Sequence, residues 1–304
     1  MPPAEAKPVA TLSHEVEKLP EPTPAAPVVK PQSKAVAEKP SPAKATLKEP
    51  AVTPEEPVVV STTEPVQQTV PQEQATPNIQ PEPAPVPVKT KPDHSIWDGL
   101  LQQYVSSSGK VNYKGLKNQK STLDSYLNEL KNYPPAGDWS RAEQMAYWIN
   151  AYNAFTVKLI LDNYPVASIT NLHGGKPWDH KWIELGDKTY TLNNIENDIL
   201  RPKYKDARIH FAVNCAAKSC PPLHNRAFTA ANLESTLNSQ AKAFINNSTY
   251  NSITSKSIEV SKIFDWYAGD FGNLISYLNQ YSSTQINAGS KIQFKEYDWA
   301  LNGY

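Results

Sequence analysis

The aromatic residues of this chain are confined to the part that follows residue 96, and this division most constrains its fold. Every tryptophan, tyrosine and phenylalanine lies at or beyond Trp97, whereas residues 1–93 contain none of them and no glycine. The same stretch holds 21 of the 28 prolines. A segment without aromatic side chains buries too little apolar surface to offset its chain entropy. We therefore predict a disordered Pro/Ala/Glu/Lys-rich linker over 1–93 and a single globular domain over 94–304.

Charge and hydropathy narrow the classes of partner. The formal net charge is zero and no basic cluster stands out beyond the linker, which argues against nucleic acid. No run of about 18 apolar residues exists, so no membrane span is predicted. The first residues lack the pattern of a secretion signal. Because long proline-rich spacers are similar to the linkers of bacterial envelope proteins, we expect a periplasmic protein with a membrane tether outside the given sequence.

The strongest helical pattern predicts a central helix over 141–163. Ser140 and Glu143 have the spacing of a capping box at its start. Apolar residues occupy most of its circumference, so the helix should be buried. Asn150 and Asn153 fall among them, and a buried amide must be hydrogen bonded. Each asparagine is predicted either to brace a neighbouring loop or strand or to contact a substrate or a catalytic histidine.

The only two cysteines of the chain follow an apolar run at 208–214. Apolar and polar residues alternate along this run, which predicts a half-buried strand. We predict an α+β domain in which the central buried helix packs on a mostly antiparallel sheet that contains this strand. His210 and Asn214 would share one face of the strand, and Cys215 would follow at its end.

Several interpretations of Cys215 and Cys220 remain open. A disulfide between them would close a small loop in an oxidising compartment. Alternatively, His210, Cys215, Cys220 and His224 are ligand types from which a structural zinc site can be built. The two cysteines can also be chemically inert.

A catalytic interpretation uses the same residues. Cys215 would be a thiolate nucleophile and His210 its base, with Asn150 or Asn153 orienting the imidazole or binding an oxyanion. A strand histidine is equally compatible with a purely structural, half-buried role.

Five further residues are candidates for substrate contacts, namely Asn214, Ser219, Tyr152, Glu196 and Asp265. Structural alternatives exist for three of them. Ser219 can brace the turn beside Cys220, Glu196 can close the cap of a short helix, and Asp265 can cap a helix. No metal and no cofactor is part of the preferred prediction.

Five ordered blocks of the sequence resemble a known family. They are Ala146–Ala154, Thr191–Glu196, His210–Leu223, Phe264–Phe271 and Tyr297–Asn302. These blocks look like the domain-of-unknown-function 547 family, and the resemblance covers about residues 95–302. It implies an uncharacterised bacterial domain that is often associated with the cell envelope, and it carries no established activity.

A looser similarity is to papain-like and transglutaminase-like hydrolases. In those folds a central helix packs on an antiparallel sheet that carries the catalytic histidine, and the nucleophilic cysteine begins the helix. This chain departs from that pattern, because its central helix offers Asn150 and Asn153 and its cysteines follow the predicted histidine strand.

The preferred functional prediction is thiol-dependent acyl chemistry, either hydrolysis or transfer of a peptide or amide, in a pocket at His210 and Cys215. Its substrate or partner would be a peptide, protein or glycan of the envelope. The first alternative is a non-catalytic binding or scaffold module with a Cys215–Cys220 disulfide. The second alternative is a structural zinc site.

Overall fold

The computed structural model describes residues 89–304, and within this range the fold is α+β, as predicted. The predicted linker over 1–93 lies almost entirely outside the described residues. None of the helices in this range is both long and apolar enough to cross a membrane.

The described part is built mainly from short helices around one long helix. The α-helices are α1 (Ser95–Tyr104), α2 (Tyr113–Leu116), α3 (Lys120–Asn132), α4 (Arg141–Asp162), α5 (Arg201–Tyr204), α6 (Leu233–Ile245), α7 (Ile263–Trp266), α8 (Ala268–Phe271) and α9 (Leu274–Leu278). Single 3-10 turns cover Lys117–Gln119, Ile169–Asn171, His173–Gly175, Pro177–Asp179 and Ala207–Phe211. A π-helix covers Asn194–Leu200. The strands are β1 (Ile183–Leu185), β2 (Lys188–Tyr190), β3 (Ser252–Ile253), β4 (Ser257–Val260) and β5 (Lys291–Phe294).

The long helix α4 confirms the predicted central helix. The Ser140 hydroxyl accepts the backbone N–H of Glu143, and the Glu143 carboxylate accepts the backbone N–H of Ser140, so the capping box forms. Of its 22 residues, 16 are buried. Its main neighbours are α2, α3 and the π-helix. The helix is therefore enclosed chiefly by other helices.

The strands form two small sheets. One is the antiparallel hairpin β1–β2, and the other has the order β3–β4–β5, with β3–β4 antiparallel and β4–β5 parallel. Neither sheet contains residues 208–214. The prediction that the central helix packs on a sheet built around that segment is therefore wrong.

The segment predicted as the catalytic strand is instead the 3-10 helix Ala207–Phe211. Asp206 starts it, because its carboxylate accepts the backbone N–H of Arg208 at 3.0 Å and also pairs with the Arg208 guanidinium. The Ala212 N–H then bonds back to the carbonyl of Ile209 at 2.9 Å. These local bonds satisfy the backbone without a partner strand.

Two apolar clusters explain why this segment has the alternating pattern of a strand although it forms a 3-10 helix. Ile209 belongs to the larger cluster, which surrounds α4, whereas Phe211 belongs to a smaller one with Phe244, Phe264 and Phe271. Alternate residues of the segment thus enter two different cores. The same pattern in a strand would separate one core from solvent.

Candidate active site

The loop that carries the cysteines is fixed to the central helix through two buried asparagines. The Asn153 amide donates to the carbonyl of Ala212 at 2.9 Å, and its Oδ1 accepts the backbone N–H of Asn214 at 2.8 Å. The Asn214 side chain in turn accepts the Ala216 N–H at 2.9 Å and donates to the carbonyl of Pro221 at 2.8 Å. The buried amides of α4 and the loop therefore position the backbone on both sides of Cys215.

The C-terminal segment closes the other side of this loop. The Asn302 amide donates to Asn214 Oδ1 at 3.1 Å, and the Ser219 hydroxyl accepts the backbone N–H of Asp298 at 2.8 Å. Asn214 and Ser219 were predicted as substrate contacts. Their side chains are instead engaged in holding the cysteine loop and the C-terminal segment together.

Asn150 has a comparable bracing role at a different place. Its amide donates to the carbonyl of Phe228 at 2.7 Å, and its Oδ1 accepts the Phe228 N–H at 3.0 Å. Both Asn150 and Asn153 are buried, as predicted, and both exchange hydrogen bonds with backbone groups. The structure favours the bracing interpretation over contact with the His210 ring.

Cys215 lies at the start of a strained turn. The next residue, Ala216, has a φ of +62°, in the left-handed region that costs a residue with a Cβ atom roughly 1–2 kcal/mol. The Cys215 side chain is half-buried, and its Sγ lies 3.2 Å from the Tyr297 hydroxyl. The backbone N–H of Ala217 and the thiol of Cys220 also hydrogen bond to it. Donors therefore surround the sulfur of Cys215.

These donors set different ionisation properties for the two thiols. Burial by itself opposes the thiolate, but the hydrogen bonds from Cys220, Tyr297 and the Ala217 N–H outweigh burial and lower the pKa of Cys215. Burial and the neighbouring Cys215 sulfur raise the pKa of Cys220 well above its usual range. Cys215 is therefore the more acidic thiol of the pair.

A buried carboxylate and two tyrosines lie on the far side of Cys215. Glu196 belongs to the π-helix Asn194–Leu200, is 5% exposed, and lies beside the Tyr267 hydroxyl. Burial and the charge of Glu196 raise the pKa of both Tyr152 and Tyr267 well above the ordinary tyrosine value. Both hydroxyls therefore stay protonated. Glu196 makes no capping hydrogen bond in this helix. The structural alternative, in which Glu196 closes the cap of a short helix, is therefore not supported.

His210 does not pair with Cys215. Its ring is buried, and its Nε2 lies 2.8 Å from Asp270 Oδ2. The ring stacks on Tyr267 with centroids 4.0 Å apart. Within the described residues, its side-chain hydrogen-bond partner is this carboxylate. The predicted Cys215–His210 dyad is therefore wrong, because the 3-10 turn directs the imidazole toward α8.

Asp270 also forms an ion pair with Arg201, so its carboxylate joins His210 and Arg201 in a small charged network. The guanidinium donates through Nε at 2.6 Å and through Nη2 at 3.1 Å, and it lies over the Tyr267 ring. Partial burial alone would raise the pKa of Asp270, but the hydrogen bonds from His210 and Arg201 outweigh it and hold that pKa well below its usual range. The network fixes the ring of Tyr267 next to Glu196.

Asp265, the aspartate predicted as a site residue, is exposed and pairs with Lys262 at 3.0 Å. Asp270, five residues later, is the aspartate that pairs with His210. A sequence signal for this exists, because Tyr267 and Asp270 are three residues apart and therefore lie on one face of a helical turn.

Aromatic side chains cluster beside Cys215, around Tyr297. Trp178 donates its indole N–H to the Tyr152 hydroxyl at 3.2 Å, and its ring lies 5.6 Å from that of Trp299. Trp299 is 4.5 Å from Tyr297 and 5.7 Å from Trp266, measured between ring centroids. We call these half-buried rings, Trp178, Trp266, Tyr297 and Trp299, the aromatic rim. Tyr152 lies beneath it and is buried.

The described residues give no support to the other two interpretations of the cysteines. Both cysteines are free thiols, so the structure does not support a disulfide. No three histidine, cysteine, aspartate or glutamate side chains within residues 89–304 converge as metal ligands. His210 and His224 contact Asp270 and the Phe228 ring instead, so the predicted four-residue zinc site is wrong.

Comparison with known families adds one result to this geometry. Residues 136–245 match the family described as "Protein of unknown function, DUF547". Over these residues the chain is similar to that family. The match contains α4, the π-helix with Glu196, and both cysteines, so the family predicted from the sequence is confirmed. No curated protein and no solved structure gives a significant match to the chain.

Proposed function

We propose that the DUF547 segment and the C-terminal part of this chain together form a thiol-dependent acyl hydrolase or transferase whose nucleophile is Cys215. One observation carries this proposal, namely a half-buried thiol surrounded by three hydrogen-bond donors that lower its pKa. A cysteine with purely structural function is expected in an apolar environment that raises the pKa of its thiol. Cys220 provides that contrast five residues away.

The chemical step follows from the donors around the sulfur. The Cys215 thiolate attacks the carbonyl carbon of an ester, thioester or amide, so that a carbon–sulfur bond forms and the carbonyl oxygen becomes negative. The Tyr297 hydroxyl and the Ala217 N–H, which face the sulfur, stabilise this oxyanion. The bond to the leaving group then breaks, and a thioester remains on Cys215.

Glu196 supplies the proton for the leaving group. Its negative charge opposes ionisation of Cys215, so the carboxylate acts on the sulfur electrostatically. In the proposed cycle Glu196 takes the thiol proton as Cys215 attacks and passes it to the leaving group. Water, deprotonated by the same carboxylate, next attacks the thioester and releases the acid. Glu196 thereby takes the role that His210 was predicted to have.

The aromatic rim supports the substrate class that we expected from the sequence. Half-buried tryptophan and tyrosine rings provide flat apolar contacts and hydrogen-bond donors around the nucleophile. A peptide or glycan carrying an acyl or amide group matches these surfaces. The composition of residues 1–93 supports a periplasmic location in the bacterial envelope, where such polymers are abundant.

Acylation by p-nitrophenyl acetate tests the proposed function. Wild type is expected to release a stoichiometric burst of p-nitrophenolate and to carry one acetyl group, mapped to Cys215 by peptide mass spectrometry. Cys215→Ala should show neither. Cys220→Ala retains Cys215 and should still be acetylated there, but more slowly, because one donor to the sulfur is lost. Hydrolysis by wild type at the rate of Cys215→Ala, with Cys215 unmodified, would refute the proposal.

A second function is favoured by the aromatic rim alone, namely binding of an envelope glycopeptide without chemistry. Its test is the tryptophan fluorescence of Cys215→Ala during titration with muramyl dipeptide. Saturable quenching that is lost in Trp299→Ala supports binding. An unchanged spectrum throughout the titration contradicts it.

A further inference from the structure

The two cysteines are in direct contact as well as close in sequence. The backbone N–H of Cys215 lies 2.8 Å from the Cys220 sulfur, and the two side chains hydrogen bond to each other. The Cys220 N–H bonds back to the carbonyl of Ala217 at 3.1 Å, which closes the turn between them. The two sulfurs are therefore within hydrogen-bonding reach of each other.

The environments of the two sulfurs assign them different roles. Cys215 is half-buried and open toward the aromatic rim, whereas Cys220 is 5% exposed. The Cys220 sulfur faces the carbonyl of Val213 at 4.0 Å and accepts the backbone N–H of Cys215. A small oxidant therefore reacts with Cys215 first, and the more buried Cys220 is available as the second thiol.

We propose that Cys215 and Cys220 are a peroxide-responsive dithiol that closes to a reversible disulfide and switches the site off. In the first step the Cys215 thiolate attacks one oxygen of a hydroperoxide, the O–O bond breaks, and the other oxygen leaves as hydroxide or alkoxide and takes a proton. Cys215 is oxidised to a sulfenic acid and the peroxide is reduced.

The second step uses Cys220. Its sulfur attacks the Cys215 sulfur, the S–S bond forms, the S–O bond breaks, and the hydroxyl leaves with the Cys220 proton as water. An external thiol then reduces the disulfide by thiol–disulfide exchange. Oxidation removes the nucleophile on which the proposed acyl chemistry rests, and Cys220 protects that nucleophile from irreversible sulfinic and sulfonic acid formation.

The experiment treats the reduced full chain with a roughly tenfold molar excess of hydrogen peroxide and follows intact mass and peptide maps over time. Wild type is expected to lose two hydrogen atoms through a Cys215–Cys220 disulfide and to recover its mass with dithiothreitol. Cys220→Ser is expected to accumulate Cys215 carrying two or three oxygens. Cys215→Ser should leave Cys220 unmodified, because that thiol is buried and protonated.

Two results would overturn the proposal. One is wild-type Cys215 gaining two or three oxygens as fast as in Cys220→Ser, without a disulfide. The other is failure of either cysteine to react under conditions that oxidise a model thiol. The second readout is the mass of the wild-type chain alone, so it does not depend on whether the variants fold. A disulfide that forms in a protein inert to p-nitrophenyl acetate would refute only the acyl chemistry.

Discussion

The side-chain oxygen of Asn153 accepts the backbone N–H of Asn214 at 2.8 Å, one residue before Cys215. This bond connects the most buried helix of the described chain to the proposed nucleophile. Because the Asn153 amide also donates to the carbonyl of Ala212, a single side chain fixes both the end of the 3-10 turn and the start of the cysteine loop. The central helix therefore supports the site, and its asparagines position the backbone of the cysteine loop without contacting the reacting atoms.

Replacement of Asn153 by alanine tests this support. It leaves the carbonyl of Ala212 and the N–H of Asn214 buried and unpaired, and we expect the free energy of unfolding to fall by about 2–4 kcal/mol. Alkylation of Cys215 should also slow. Asn150→Ala should cost a similar free energy in urea unfolding yet leave the alkylation rate unchanged, because Asn150 braces Phe228. The exposed Asn163→Ala is the neutral control.

Tyr297→Phe removes one donor from the Cys215 sulfur and leaves the ring in place. Because that hydroxyl helps to lower the pKa of Cys215, its loss should raise this pKa and slow alkylation at neutral pH by about tenfold. Iodoacetamide kinetics measure the effect, and Tyr281→Phe provides a control on the same fold. Equal rates for Tyr297→Phe and wild type would mean that the hydroxyl does not stabilise the thiolate.

Glu196→Gln should separate thiolate formation from turnover. Removing the negative charge lowers the pKa of Cys215 further, so alkylation at a given neutral pH becomes faster. Turnover of p-nitrophenyl acetate should nevertheless fall by about 10²–10⁴-fold, because the proton donor and base is lost. Glu184→Gln, at the exposed middle position of strand β1, is expected to change neither rate. A parallel change of both rates would contradict the assigned role.

Asp270→Asn should change how stability depends on pH. The pKa of Asp270 is lowered in the folded chain, so its carboxylate stabilises the fold above the unfolded pKa of about 4, and this stabilisation is lost as the pH falls below that value. At pH 7 we expect Asp270→Asn to lower the free energy of unfolding by about 1–2 kcal/mol. Near pH 2 the difference from wild type should shrink. A difference that is constant across this range would show that the carboxylate is not ion-paired as described.

Local features of the sequence were sufficient to predict the central helix. The capping box of Ser140 and Glu143 and the helical spacing that follows are interactions between residues close in sequence, so they persist in the fold. Burial of Asn150 and Asn153 also followed from their position among apolar neighbours. The partners of these amides were not predictable, because Phe228 and Asn214 come from distant segments.

The strand prediction failed for a tertiary reason. Alternation of apolar residues over 208–214 is typical of a strand, but Ile209 and Phe211 enter different cores and Asp206 starts a 3-10 turn. Because the segment is a 3-10 turn and not a strand, the His210 ring bonds to Asp270, 60 residues later in the chain, and not to Cys215. The neighbour of Cys215 is Tyr297, which is 82 residues away and carries no local signal of that contact.

The central claim is that Cys215 is a thiolate near neutral pH, and the pH dependence of its alkylation tests this most directly. The rate of iodoacetamide modification, resolved for each cysteine by peptide mass spectrometry, is measured from pH 5 to 10. The account predicts a Cys215 midpoint below the ordinary cysteine pKa of about 8.5, with Cys220 unreactive until the chain unfolds. A Cys215 midpoint at or above that of a model thiol would contradict it.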